Sequence, residues 1–210
     1  MSDQPVAAGS VAAGKRGKGT GIDAVAIVLA AGQATRFGAT KQLALLEGLP
    51  LVAHAVRRAH QAGCSRVLVV VGHDRHRVAL AARRGGHVDV VRNPRYREGQ
   101  ASSVTTGIAA ARSGQEQVAV VLLADQPGIA PSVVTRVVAA VAQPQGVAAR
   151  ARYQDSVGHP VAFARSFWPR LLELRGDQGA RELLTTVPVV EVAVPGAAPR
   201  DVDTPDGLRG

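Results

Sequence analysis

Two stations in this chain carry residue types that handle phosphate. The first is Leu29-Ala30-Ala31-Gly32, followed by Arg36, Phe37, Gly38 and Lys41. Small residues let backbone amides come close to a ligand, and Arg36 and Lys41 add fixed positive charge, so together they can form a phosphate cradle. The second is Asp125-Gln126-Pro127, with a further acidic pair at Asp201 and Asp203. A carboxylate at a strand rim suits Mg²⁺, which takes one or two carboxylates and fills its remaining positions with water and substrate phosphate. Asp203 could complete the same metal site. Other readings of these residues stand open: an ordinary glycine-containing loop after residue 30, an Asp125 that caps a turn, and a helix start at Asp203.

Three more polar patches fall where loops are expected. Asn93-Pro94 leads to Gly99 and Ser102-Ser103, a helix start whose hydroxyls can receive an anion or a base edge. Gly158-His159-Pro160 interrupts an apolar edge, and residues 175–181, with Gly176, Asp177, Gly179 and Arg181, form a turn-to-helix segment with several donors. Common fingerprints are missing from the sequence: no P-loop, no G-x-G-x-x-G dinucleotide turn and no G-x-S-x-G nucleophile elbow. His54 reads as a packing or surface residue, and His73, His76 and His87 lack metal-ligand spacing.

The elements that must position these residues alternate. Residues 24–30, 66–71 and 118–123 are continuous, β-branched apolar runs, as expected of strands buried on both faces. Between and after them, 50–62, 74–84, 99–111 and 131–142 read as helices, the second with Asp74 as its N-terminal cap and Gly85-Gly86 at its end. Such alternation predicts right-handed crossovers and an α/β fold: an open, mostly parallel sheet with helices on both faces. Strands at 147–151, 157–163 and 187–194, with helices at 167–174 and 178–185, are expected to add an antiparallel extension at one edge. Residues 1–22 read as a disordered Gly/Ala tail and 23–210 as one domain. Ligands of open α/β sheets bind beyond the carboxyl ends of the strands, where the two phosphate-handling stations fall.

Composition narrows the partners. The 210 residues are 46% hydrophobic, enough for a core, and 25 Lys+Arg against 16 Asp+Glu give a net charge of +9. Only three of those cations are lysines, and Lys41 is the one in the folded body. Aromatic residues make up 3%, too few for the stacking platforms of single-strand readers, and no helix has a dense basic face, so nucleic acid is not expected. The apolar runs are of strand length, well short of the about 20 residues of a membrane span. A single Cys excludes a disulfide framework or a Cys-rich metal centre and fits a cytoplasmic protein.

Taken in order, Leu29 to Gly32 with Arg36-Phe37-Gly38 and Lys41-Gln42-Leu43, then Gly48-Leu49-Pro50-Leu51, Asn93-Pro94 with Gly99 and Ser102-Ser103, Asp125-Gln126-Pro127, Gly158-His159-Pro160, residues 176–181 and Asp203-Thr204-Pro205 resemble the MobA-like nucleotidyltransferases, in particular their molybdenum cofactor cytidylyltransferase branch. The resemblance runs from Asp23 to Leu208. It implies a Rossmann-like domain and Mg²⁺-dependent transfer of CMP from CTP to the phosphate of molybdopterin, with pyrophosphate released. Under it Leu29, Ala30, Ala31 and Gly32 lie against base and ribose, Ser102 and Ser103 also serve the nucleotide, and Arg36 and Lys41 meet the triphosphate. Asp125 and Asp203 hold Mg²⁺; Gly158, His159, Pro160, Gly176, Asp177 and Gly179 face the acceptor. Lys41, Arg36 and Asp125 are then the catalytic set, and a molybdenum hydroxylase is the expected recipient of the product from a monomer or weak oligomer. The second Ala of Leu-Ala-Ala-Gly resembles the cytidylyl rather than the guanylyl branch, and Leu49 stands where the family pattern has Lys. Alternatives are transfer from another NTP, a NAD(P)H-dependent oxidoreductase like the nicotine-blue offshoot of this family, and a non-catalytic carrier of the cofactor.

Overall fold

A computed structural model of the chain describes residues 23–33, 40–143, 146–176 and 183–202. β1 (Ala24–Ala30) is buried along its whole length, as are five of the six residues of β4 (Arg66–Val71) and of β6 (Val118–Leu123). Continuous apolar runs belong in a sheet covered on both faces, and that is where these strands lie. With β5 (Asp89–Arg92), β7 (Ala148–Arg152), β8 (Val157–Ala164) and β9 (Val189–Ala193) they form a seven-stranded sheet in the order β5-β4-β1-β6-β8-β7-β9.

β1 pairs in parallel with both β4 and β6, β4 with β5, and β7 with β9. β8 is antiparallel to both of its neighbours, β6 and β7. The antiparallel component therefore sits inside the sheet, and the outermost strand on that side, β9, returns to the common direction. A hairpin of β2 (Leu45–Leu46) and β3 (Leu49–Pro50) stands apart from the sheet.

Alternate residues of β1 face opposite layers. Ala26 and Val28 pack with Val52 and Val56 of α1 (Leu51–Gln61), Val78 of α2 (Arg75–Arg83) and Val134, Val137 and Val138 of α4 (Pro131–Val141). Val25 and Ile27 pack on the other face with Val104 and Ile108 of α3 (Gln100–Ala111) and Trp168 and Leu171 of the short α5 (Trp168–Leu171). Each such side chain removed from water contributes about 1.5–3 kcal/mol. Gly107 lets α3 lie close on the sheet, since a Cβ there would meet Ile27 Cγ2 at 2.4 Å.

The expected architecture is present, with local differences. β5 is an edge strand whose apolar centre is only Val90-Val91, too short to register as a pattern. The helix expected at 167–174 is a 3₁₀ turn at Arg165–Phe167 followed by one α turn, α5. The expected 1–22 tail and most of the 178–185 helix lie outside the described residues. Asp74 stands at the N-cap of α2, but in left-handed conformation (φ 49°, ψ 37°) and without a side-chain cap. Its carboxylate instead accepts from Thr40 Oγ1 and Arg77, each at 3.0 Å. The short polar side chain that suits capping is thus used to tie the β4–α2 corner to the residue before Lys41.

Candidate active site

After β1 the chain winds outward through β4 and β5, then returns to place β6 on the opposite side of β1. Reversal of winding opens a crevice at the carboxyl ends of β1 and β6, the place where open α/β sheets bind ligands. A cleft of about 430 Å³ lies there. Leu29, Ala31 and Gly32 line it from the end of β1, and Leu123, Ala124 and Asp125 from the end of β6. Gln42, Tyr96, Gly99, Gln100, Ser103 and Asp201 complete the wall.

An ion pair joins the two stations: Lys41 Nζ is 2.7 Å from Asp125 Oδ2, with side-chain exposures of 11% and 25%. Lys41 opens a 3₁₀ turn, Lys41–Leu43, and Asp125 stands two residues past Leu123, the last of β6. The Ala124 N–H donates to the Leu29 carbonyl at 3.1 Å, which keeps the ends of β1 and β6 together. On the far side the Val202 N–H donates to the Asp125 carbonyl (3.0 Å), and Gln126 Nε2 donates to Asp201 Oδ1 (2.6 Å). These bonds bring Asp201 to the rim beside Asp125.

The α3 wall is built on Asn93, which is 1% exposed. Its Nδ2 donates to Ser102 Oγ (2.9 Å) and Ser103 Oγ (3.0 Å), while its Oδ1 accepts from the Arg95 N–H (2.9 Å). Ser102 Oγ in turn lies within donating distance of the Gly99 and Arg95 carbonyls, at 2.8 and 2.9 Å. Gly99, at the N-cap of α3, has φ 100°, a conformation that strongly favours glycine and turns the chain out of the Tyr96–Glu98 turn. Ser103 faces the cleft and Ser102 belongs to the knot beneath it. Polar satisfaction of this kind holds a wall rigid before any ligand arrives.

Of the residues singled out in the sequence, Leu29, Ala31, Gly32, Ser103 and Asp125 line one cleft, and Lys41 is ion-paired to Asp125 of its wall. Ala30 is the last residue of β1 and is 1% exposed. Gly158, His159 and Pro160 lie in the first half of β8, at the sheet end where β6 finishes. The His159–Pro160 peptide is cis, and the His159 carbonyl accepts from the Tyr153 hydroxyl at 2.8 Å. Gly176 has a left-handed φ of 62°. Arg36, Asp177, Gly179, Arg181 and Asp203 lie outside the described residues. Tyr96, Gln100 and Gln42 are cleft residues to which the sequence reading gave no role. Tyr96 and Gln100 share no charge or spacing signal, whereas Gln42 adjoins Lys41.

Hard oxygen donors are available for a divalent cation. Asp125 and Asp201 both reach the cleft, and among the described residues no group of three or more His, Cys, Asp or Glu could hold a metal. A two-carboxylate set, completed by phosphate oxygens and water, is what Mg²⁺ or Mn²⁺ accepts. Covalent catalysis by thiolate has no support: burial pushes the Cys64 thiol up to about 12. Among the described residues no helix is long and apolar enough to cross a membrane.

Known proteins carry the same architecture. The purine catabolism protein PucB of Bacillus subtilis (strain 168) is 28% identical over 87% of this chain and 92% of its own length. A crystal structure of Rv0371c from Mycobacterium tuberculosis H37Rv superposes with a TM-score of 0.77 at 34% identity, over 90% of this chain and 97% of that one. A structure of Rv0371c in complex with manganese gives 0.72 at 32% identity, over 89% and 96%. Residues 26–192 match the family model of the MobA-like NTP transferase domain. The chain belongs to the MobA-like NTP transferase family, whose reaction is nucleotidyl transfer from an NTP.

Proposed function

We propose that the protein transfers CMP from CTP to the terminal phosphate of a molybdopterin-type cofactor, releasing pyrophosphate. The observation that carries this reading is the Lys41–Asp125 pair, a cation and a metal-type carboxylate held 2.7 Å apart in the crevice between β1 and β6. Both groups face the place where a triphosphate and its metal would lie.

The acceptor phosphate is already anionic at neutral pH, so it attacks the α-phosphorus without a general base. An oxygen–phosphorus bond forms to the acceptor as the bond between the α-phosphorus and the bridging oxygen breaks, and that oxygen leaves with pyrophosphate. Charge grows on the non-bridging α-oxygens and on the leaving group, and fixed cations that meet it there are the principal source of rate. Lys41 supplies one: a compact ammonium that follows a phosphate oxygen, where a planar guanidinium would need more room. Arg36, six residues beyond β1 in the sequence, serves the triphosphate. Asp125 and Asp203, with Asp201 at the rim beside Asp125, are the carboxylates that would hold Mg²⁺, which when bound neutralises phosphate charge and orients the leaving group. Leu29, Ala30, Ala31, Gly32, Ser102, Ser103 and Tyr96 receive or support the nucleoside. Gly158, His159 and Pro160 with Gly176, Asp177 and Gly179 face the acceptor. Support for the metal comes from the manganese complex of Rv0371c, and support for cytidine from the Ala31 position.

Pyrophosphate release in the presence of Mg²⁺, molybdenum cofactor and each of the four NTPs tests this reading. Release with CTP above the others is expected; equal inactivity with all four overturns it, and the largest release with GTP would move the protein to the guanylyl branch.

A further inference from the structure

Among the described residues, three buried side-chain polar atoms lack a hydrogen-bond partner: Gln42 Oε1, Arg58 Nε and Glu116 Oε2. Only Gln42 also lines the nucleotide cleft. It is 6% exposed, so water has little access to it. Its amide cannot be turned over to relieve the orphan. Gln42 Nε2 donates to the Gly32 carbonyl at 3.1 Å, and a carbonyl accepts only, so the nitrogen must face Gly32 and the oxygen must be the atom left over.

A buried acceptor without a partner disfavours the empty site and favours any ligand that brings a donor to it. The triphosphate cannot do so, because its oxygens are acceptors at neutral pH. Donors on an NTP belong to the nucleoside: the ribose hydroxyls, the exocyclic amino group of cytosine, adenine or guanine, and the ring N–H of guanine or uracil. Gln42 adjoins Lys41 in sequence and is bonded to the last residue of Leu29-Ala30-Ala31-Gly32, so it stands between the cation of the cleft and its nucleoside wall.

We propose that Gln42 is a specificity-determining residue, whose Oε1 accepts a hydrogen bond from a ribose hydroxyl or an exocyclic amino group of the bound NTP. This rests on the reading of the cleft as an NTP site. One side chain then does two tasks: the amide nitrogen fixes the phosphate loop at Gly32, and the oxygen reads the nucleoside. Sites built to hydrogen-bond a substrate group reject analogues that lack it, because the protein partner is then left unpaired.

Calorimetric titration of the full-length protein with Mg²⁺ and its tightest-binding NTP provides the test, alongside the 2′-deoxy and 3′-deoxy forms and the analogue lacking the amino group (UTP for CTP, ITP for GTP or ATP). The wild-type protein should bind at least one analogue about 10-fold more weakly than the parent. The analogue rejected tells ribose from base. In Gln42→Met, of similar length and apolar, the penalty against that analogue should fall to within about twofold. Wild-type protein that binds parent and analogues alike overturns the proposal even if the variant fails to fold, as does a folded Gln42→Met that keeps the full penalty. Failure of the wild type to bind any NTP overturns the reading of the cleft itself, and the proposal with it.

Discussion

At the scale of single residues the proposed chemistry rests on one lysine and one carboxylate. Replacing Lys41 with Met removes the ammonium while keeping an unbranched side chain. The transfer rate should fall about 100-fold or more, the cost of deleting one preorganised charge donor to a developing phosphoryl charge. Pyrophosphate release under saturating CTP checks this, and Lys41→Arg should recover little because the side chain is enclosed, at 11% exposure. Unchanged turnover in Lys41→Met would remove Lys41 from the chemistry. Asp125→Asn should raise the Mg²⁺ concentration needed for half-maximal activity by about 10-fold or more, since a neutral amide is a poorer ligand for a hard cation; an unchanged metal titration would count against a metal role. Asp125 was visible in the sequence because a charged side chain that ends a continuous apolar run must emerge at a sheet rim, and Lys41 because it is the one lysine of the folded body and follows the small-residue stretch after the first apolar run. Gln42, Asn93 and Asp74 were not assignable in the same way. Their roles depend on which atoms meet across segments distant in the chain: Asn93 on the α3 hydroxyls, Asp74 on Thr40, Gln42 on Gly32.

At the scale of elements, the close approach of α3 to the sheet sets the wall of the cleft. A methyl at Gly107 has Ile27 Cγ2 at 2.4 Å and Val70 Cγ2 at 3.2 Å in its way. Gly107→Ala should cost about 1–3 kcal/mol in urea unfolding, as overpacking does in dense cores, and a neutral result would mean that α3 can lift without penalty. The outer strands respond to acid. The Glu191 carboxyl on β9 lies beside Arg152 and Arg150 of β7, which hold it below its ordinary value of 4.5. A lowered folded-state value means that the contribution is present above 4.5 and is lost as pH falls through the lower folded value. Amide exchange in β9, corrected for its intrinsic pH dependence, should therefore stay flat from neutrality to 4.5 and rise below it, and Glu191→Gln should flatten the rise. β1, β4 and β6 were legible as strands because burial on both faces leaves an unbroken apolar signature. β5 was not, because an edge strand with two central valines needs no such run. The reach of the antiparallel component was also hidden, since strand order depends on crossovers and not on the composition of any one strand.

At the scale of the molecule, the +9 charge is an ambiguous guide. Much of it is arginine spread over the surface, some already bonded to carbonyls or carboxylates, as Arg165 is to the Gly114 and Glu116 carbonyls and Arg66 to Asp89. The cation of consequence is the enclosed Lys41, and its effect is local. An NTP that binds the folded state alone stabilises it by an amount that grows with the logarithm of its concentration over Kd, about 2.7 kcal/mol at a hundred times Kd. For a chain of this size that is a rise of about 5–10 °C in Tm. Mg²⁺ with CTP should produce it and NADH should not; a shift with NADH alone would favour the redox alternative. The most direct measurement follows the atom that is transferred. With CTP labelled at either the α- or the γ-phosphorus, Mg²⁺ and molybdenum cofactor, the α-label should appear on the cofactor and the γ-label in pyrophosphate, both abolished in Lys41→Met. Label passing from the γ-position to the cofactor, or none passing from any labelled NTP, would contradict nucleotidyl transfer at this cleft.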